Sequence, residues 1–316
     1  MIERTKPSFG AAKTQADVGR KNELYVLFSL ARFGWLTNHQ IGQLLWPTMN
    51  QSTSKSRRIL QRLLDKKEVR FECLGDSPGA QIRAYFLKPS GMKRVLSESV
   101  FAQQIRVKRT KRSITDQRYQ YHRFLSNQLL IDIRHRRIEL PFEISDEQIF
   151  MCEHEMQPVR KDLNSHFGCI PDAIVNHAGE LLVCEIENSC RGPARHGSKL
   201  RQEGNKLQDW LPIYIERMQS YGQFSDHLLP LGKQGSYDDA REIFLCSSEK
   251  VFRSIYRKMR QLMGQFSQLE GVIYYIVMNK QSWIEPLHTS NIKILDHASA
   301  EAVQLVAVGE ERTRKY

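Results

Sequence analysis

The chain has 316 residues, 41% of them hydrophobic, enough for ordinary globular cores and, as a soft prior, for two domains. Lys and Arg number 47 against 35 Asp and Glu, a net charge of +12 that favours a polyanionic partner, nucleic acid above all; no apolar run reaches membrane-spanning length, so no membrane insertion is expected. The 6 cysteines include no CxxC pair, which argues against a zinc site or disulfide framework and for a cytoplasmic protein.

Residues 1–20 (MIERTKPSFGAAKTQADVGR) lack the apolar segment of a signal peptide and read as a flexible lead-in. From 21 to 100 the elements run helix, short helix, turn, basic helix, hairpin. NELYVLFSLAR is an apolar-rich helix ending near Gly34. Thr37, with Gln40 three residues on, has the form of a capping box, and Pro47 stops the helix it opens. In STSKSRRILQRLL, Ile59, Leu60, Leu63 and Leu64 recur at helical spacing, and the early part carries Ser52, Ser54, Lys55, Arg57 and Arg58. Two β-like runs, 69–74 and 81–87, flank the turn sequence DSPG, and the second carries Arg83. This is the order of a winged helix-turn-helix, in which the third helix enters the major groove and its basic and hydroxyl side chains reach phosphates and bases. The same order also serves protein-interaction modules. A basic bridge at 101–115 follows, with Arg106, Lys108, Arg109, Lys111 and Arg112 placed either as a solvated linker or along a phosphate backbone.

Residues 116–316 mix strand and helix patterns, as expected of an α/β or α+β domain with a central mixed sheet flanked by helices. A long helix (116–136) precedes strand-like pieces at IELPFEI and EQIFMCEHEM. Residues 171–175 and 180–187 form a predicted hairpin around NHAG. Further on come a helix at KLQDWLPIYIERMQSY, a strand at EIFLCSS, a helix with a basic face at VFRSIYRKMRQLMGQF, and a strand at GVIYYIVMN.

The hairpin carries the chemistry. Side chains alternate along a strand, so in LLVCEIE the residues Leu181, Val183, Glu185 and Glu187 share one face. A turn over NHAG or over Ala178-Gly179 places Asp172 opposite Val183 or opposite Glu185; both registers put Asp172, Glu185 and Glu187 on that face, and only an odd-length loop breaks this. Carboxylates grouped this way repel unless a cation sits among them, and oxygen-only ligands suit Mg²⁺ or Mn²⁺. A hard divalent ion beside DNA activates water and neutralises charge on a phosphoryl group. The bland alternative is an exposed strand end balanced by Arg191, Arg195 or Lys199.

The series PD, strand, ExE resembles the PD-(D/E)xK nuclease superfamily, with Glu187 where lysine is usual. HRFLSNQLL, CEHEM, PDAIVNHAGELLVCEIENS and a later KL resemble the replication-relaxation family and the related MOBC relaxases, over residues 20–210. That resemblance implies a winged helix followed by a restriction-endonuclease-like domain. It implies metal ligation by Asp172 and Glu185, with Glu187 as third ligand or base and Glu155 (or Glu153) as a further carboxylate. Phosphate stabilisation falls to Arg191, Lys199 or Lys206. The implied activity is strand-specific nicking of double-stranded DNA at a transfer origin by metal-bound water, in the company of relaxosome accessory and coupling proteins. Two alternatives stay open: a DNA-binding regulator or replication initiator without activity, which the missing lysine favours, and a transposase-associated or restriction endonuclease.

Overall fold

The structure, a computed structural model, describes residues 14–74, 82–103, 105, 107, 120–138, 140, 149–161, 171–177, 180–187, 239–263, 273–278 and 292–296. The molecule is mixed α and β, and the described residues fall into two compact units. The first holds those up to Arg137 and those from 149 to 158; the rest form the second.

The first unit opens with α1 (Gln15–Phe33). The helix begins earlier than the apolar pattern alone suggests, because Thr14 caps it: its hydroxyl accepts from the Asp17 N–H, and the Asp17 carboxylate accepts from the Thr14 N–H. The helix stops at Gly34, whose φ of 77° suits glycine. β1 (Leu36–Thr37) leads into α2 (Asn38–Leu45), capped by Thr37 and Gln40 as the sequence anticipates. α3 (Ser52–Asp65) buries Ser56, Ile59, Leu60 and Leu63. β2 (Val69–Leu74) and β3 (Ile82–Leu87) form an antiparallel hairpin, and β1 adds to β3, giving the order β1-β3-β2. The DSPG turn lies outside the described residues. α4 (Pro89–Leu96) and α5 (Ser99–Ala102) complete this stretch.

Glu23 on α1 joins these helices. Its buried carboxylate meets Lys66 at 2.7 Å, Arg94 at 2.8 Å and Arg62 at 3.3 Å. Burial alone would raise the Glu23 carboxyl, but the hydrogen bonds and charges of Lys66 and Arg94 outweigh it and hold the group below the ordinary carboxylate range. Packing is also close at Gly91, where any Cβ would collide with the Glu68 carbonyl oxygen. Gly91→Ala is therefore expected to cost about 1–3 kcal/mol, read as a lower urea midpoint at unchanged slope.

The first compact unit continues past the basic run at 106–112, to Arg137. α6 (Gln120–Arg134), expected to open the second domain, belongs to the first unit. Its side chains donate to backbone and side-chain acceptors far away in sequence: Asn127 Nδ2 to the Trp35 carbonyl at 3.0 Å, and Gln128 Nε2 to Gln43 Oε1 at 2.8 Å. In return, Gln40 Nε2 donates to the Phe124 carbonyl at 3.0 Å. Asp132, fully buried, accepts from Gln128 at 2.8 Å and from Arg137 at 2.9 Å. β4 (Ile149–Cys152) and α7 (Glu153–Met156) belong to the same unit.

The second unit is built on a mixed sheet. β5 (Ala173–His177) and β6 (Glu180–Glu187) are antiparallel; β7 (Asp239–Cys246) runs parallel to β6 and β8 (Ile273–Met278) parallel to β7. β9 (Ile292–Asp296), which the sequence pattern does not announce, pairs antiparallel with β8. α8 (Glu249–Met263) follows β7 and covers one sheet face, where Phe252 and Tyr256 meet the Tyr275 ring at 5.4 and 6.0 Å. The predicted helix at 206–221 and most of IELPFEI lie outside the described residues.

Candidate functional site

The β5–β6 register sets where the acidic residues fall along the hairpin. His177 pairs with Glu180 and Ala173 with Cys184, so the turn is the two-residue Ala178-Gly179 connection. Asp172 comes one residue before the paired strand; continued by one step, the register would set it opposite Glu185. It sits in the bend before β5, after a buried Pro171. The Asp172 N–H donates to the Cys184 carbonyl at 3.1 Å, and the Ile186 N–H donates to Asp172 Oδ2 at 2.8 Å. The carboxylate thus takes the place of a backbone acceptor where the strand bends, and ties the bend to the end of β6.

Following the pairing across the sheet, Asp172, Glu185, Glu187, Phe244, Cys246 and Tyr275 share one face. Asp172, Glu185 and Glu187 are half-buried. Glu185 is the neighbour of Phe244, and Glu187 of Cys246, at the carboxyl ends of the two parallel strands. That edge is where ligands bind in open α/β sheets. Burial, and then the Glu187 charge, push the Cys246 thiol well above its ordinary range, so it stays protonated. The Ser247 N–H donates to the Glu187 carbonyl at 2.9 Å, and α8 begins two residues later, its Ser248 hydroxyl accepting from the Val251 N–H at 3.4 Å. The positive end of that helix therefore lies at the same sheet edge as the acidic side chains. Sequence reading does not assign Cys246 and Ser247 to this edge; the signal for them is a buried strand running straight into a serine cap, FLCSSE.

Glu155 is placed otherwise. The run EHEM, expected to continue a strand, is the helix α7: Glu155 reaches back to the Cys152 N–H at 3.3 Å and closes a turn. Both Glu155 oxygens face Arg32, Oε1 at 2.6 Å from Nε and Oε2 at 3.2 Å from one terminal nitrogen, with both side chains almost fully buried. The Arg32 guanidinium also stacks 4.6 Å from the Phe150 ring centre. Glu153 pairs with Arg123 at 2.6 Å. The Glu155 carboxylate neutralises Arg32 within the first unit, which removes the reason to assign Glu155 to a metal. Burial and the Glu155 charge push the Cys152 thiol up to about 12. Arg191, Lys199 and Lys206 lie outside the described residues.

Among the residues expected to meet DNA, Ser54, Arg57 and Arg58 are exposed on α3, while Ser52 and Lys55 are half-buried. Lys55 Nζ stands 4.6 Å from the Trp46 ring centre, and burial, then the Arg58 charge, lower its pKa. Ser56 faces inward, donating to the Asn38 carbonyl at 2.9 Å. On β3, Arg83 is exposed and lies over the Phe71 ring at 4.4 Å, with Phe71 itself 39% exposed. Arg106, Lys108, Arg109, Lys111 and Arg112 lie outside the described residues. Comparison of the chain with family models, curated proteins and solved structures finds no match.

Proposed function

We propose that this protein is a metal-dependent DNA-nicking enzyme, a relaxase-type endonuclease that binds duplex DNA with its first unit and cuts one strand with its second. The order α1-β1-α2-α3-β2-β3, with a β1-β3-β2 sheet, supports a winged helix-turn-helix reading of the first unit. The exposed Ser54, Arg57 and Arg58 on α3 and Arg83 on the hairpin are the side chains such a domain turns towards phosphates and bases. No described helix is long and apolar enough to cross a membrane. The cytoplasm and a transfer origin are the proposed setting, with relaxosome accessory and coupling proteins as partners.

The β5–β6 register supports the catalytic half of the reading: Ala173 pairs with Cys184, so Asp172 just before it and Glu185 just after fall at the same end of the hairpin, two residues from Glu187, at the carboxyl edge of the parallel strands. A half-buried, all-oxygen donor set fits Mg²⁺ or Mn²⁺ and not a thiophilic ion. Bound there, such an ion supplies a more acidic water and charge neutralisation at phosphorus. Asp172 and Glu185 are the proposed ligands and Glu187 a third ligand or the base that takes a proton from the attacking water. Asp172 has a second task, since its bond to Ile186 holds the end of β6 in line. Arg191, Lys199 and Lys206 remain the proposed cations for the scissile phosphate, and PD-(D/E)xK the proposed fold.

A second reading rests on Glu187, which occupies the position where lysine is usual: a DNA-binding regulator or replication initiator that does not cut. Supercoiled plasmid carrying the element's own origin separates the two. Open circles formed only with Mg²⁺ or Mn²⁺ support nicking; tight, salt-sensitive binding without cleavage supports the regulator; linear product supports a transposase-associated or restriction endonuclease. For the binding half, Arg57→Ala/Arg58→Ala is expected to weaken duplex binding at least ~10-fold. In anisotropy titrations, the slope of log K against log salt should fall by roughly 2.

A further inference from the structure

We propose that the outward face of α8 is a second DNA-backbone contact, placed on the second unit and separate from α3. The inward face of the helix is committed. Val251, Phe252, Ile255 and Tyr256 are buried, and the rings of Phe252 and Tyr256 lie on Tyr275. At 100° per residue, Lys250, Arg253 and Arg257 fall within an arc of roughly 60° on the opposite side, with Ser254 beside them. Lys250 and Arg257 are exposed and Arg253 half-exposed. Glu249 is the helix's one acidic residue, and it pairs with Arg253 at 2.9 Å. Such a surface pair is worth little.

The stripe spans about 10 Å along the helix axis, over which a duplex presents about three phosphates per strand. Charge complementarity selects a polyanion. A lipid surface would need the apolar side of the helix, and that side is covered by the sheet. The stripe also starts at the acidic edge: Ser247, just before α8, donates to the carbonyl of Glu187. Tying down the phosphates that flank the cut site is the task this position suits. That last step rests on the nicking reading; the DNA contact itself does not.

The test uses the full-length chain and short duplexes of unrelated sequence, with anisotropy read between about 50 and 200 mM salt. Lys250→Ala/Arg253→Ala/Arg257→Ala is expected to bind all duplexes about 10-fold or more weakly, with the salt slope reduced by about 2 to 3 and melting temperature unchanged. Arg257→Ala alone, at an exposed site, should reduce the slope by about 1, which keeps the test decisive should the triple variant fold poorly. Affinity and slope equal to wild type would overturn the proposal. So would a loss confined to one sequence, or a loss on anionic phosphatidylserine vesicles with DNA binding intact. A wild type that never nicks, but whose salt slope drops in these variants, sinks the nicking reading and leaves this one standing.

Discussion

Glu185→Ala is expected to abolish metal-dependent open-circle formation, by about 10³-fold or more, while duplex affinity stays at the wild-type value. That scale is typical for removing a group that stabilises charge at the reacting centre. The reason is positional. Glu185 lies at the end of the hairpin beside the Asp172 bend and two residues from Glu187, with Phe244 as its neighbour on β7. It is half-buried at the carboxyl edge of two parallel strands. An ion held among these carboxylates has a second signature, and Glu185→Gln, which keeps the side chain's shape, tests it in thermal unfolding. Added Mn²⁺ should then raise the wild-type midpoint and leave the variant's in place, since only an ion that binds the folded state stabilises it. Glu187→Gln and Asp172→Asn should follow Glu185→Gln. Asp172→Ala should in addition lose stability, because the Ile186 N–H is left without its side-chain acceptor.

Arg32→Ala is expected to destabilise the protein by about 3–5 kcal/mol, because it leaves the Glu155 carboxylate charged and buried with no guanidinium facing it. The side chain also fills space between the Phe28 and Phe150 rings, 5.8 and 4.6 Å from its guanidinium carbon. Glu155→Ala should cost a similar amount by the converse route. Arg32→Met/Glu155→Leu, which removes both charges and keeps apolar volume, should recover most of the loss. Urea unfolding checks all three. Glu155→Ala also tests the site assignment: Mn²⁺ binding should survive it at concentrations of urea too low to unfold the variant.

Sequence reading succeeds where the signal is local. Thr37 with Gln40 announces the start of α2, and the alternation in LLVCEIE announces a strand with two acids on one face. It fails where the deciding partner is distant. Thr14 with Asp17 caps α1 in the same way as Thr37 caps α2, but precedes polar residues rather than an apolar run, so residues 14–20 read as lead-in. The basic run at 106–112 looks like a domain boundary, yet α6 belongs with the helices before it. The bonds that hold it there, Asn127 to Trp35 and Gln128 to Gln43, join positions about 90 residues apart that no periodicity exposes.

The acidic site divides along the same line. That Asp172, Glu185 and Glu187 share a face is expected from either even-length turn; which residue Asp172 opposes depends on the turn, and the structure shows the two-residue one, with Ala173 opposite Cys184. The resemblance at CEHEM points Glu155 towards the site. Its carboxylate goes instead to Arg32, 123 positions earlier in the chain, a partner that spacing cannot reveal.

Titration of the wild-type protein with Mn²⁺, followed by the loss of the free aquo-ion signal in electron paramagnetic resonance, tests the metal centre most directly. The expected result is saturable binding that Mg²⁺ displaces and that Glu185→Gln/Glu187→Gln removes. Equal Mn²⁺ binding by the wild type and that double variant, or none by either, would contradict it.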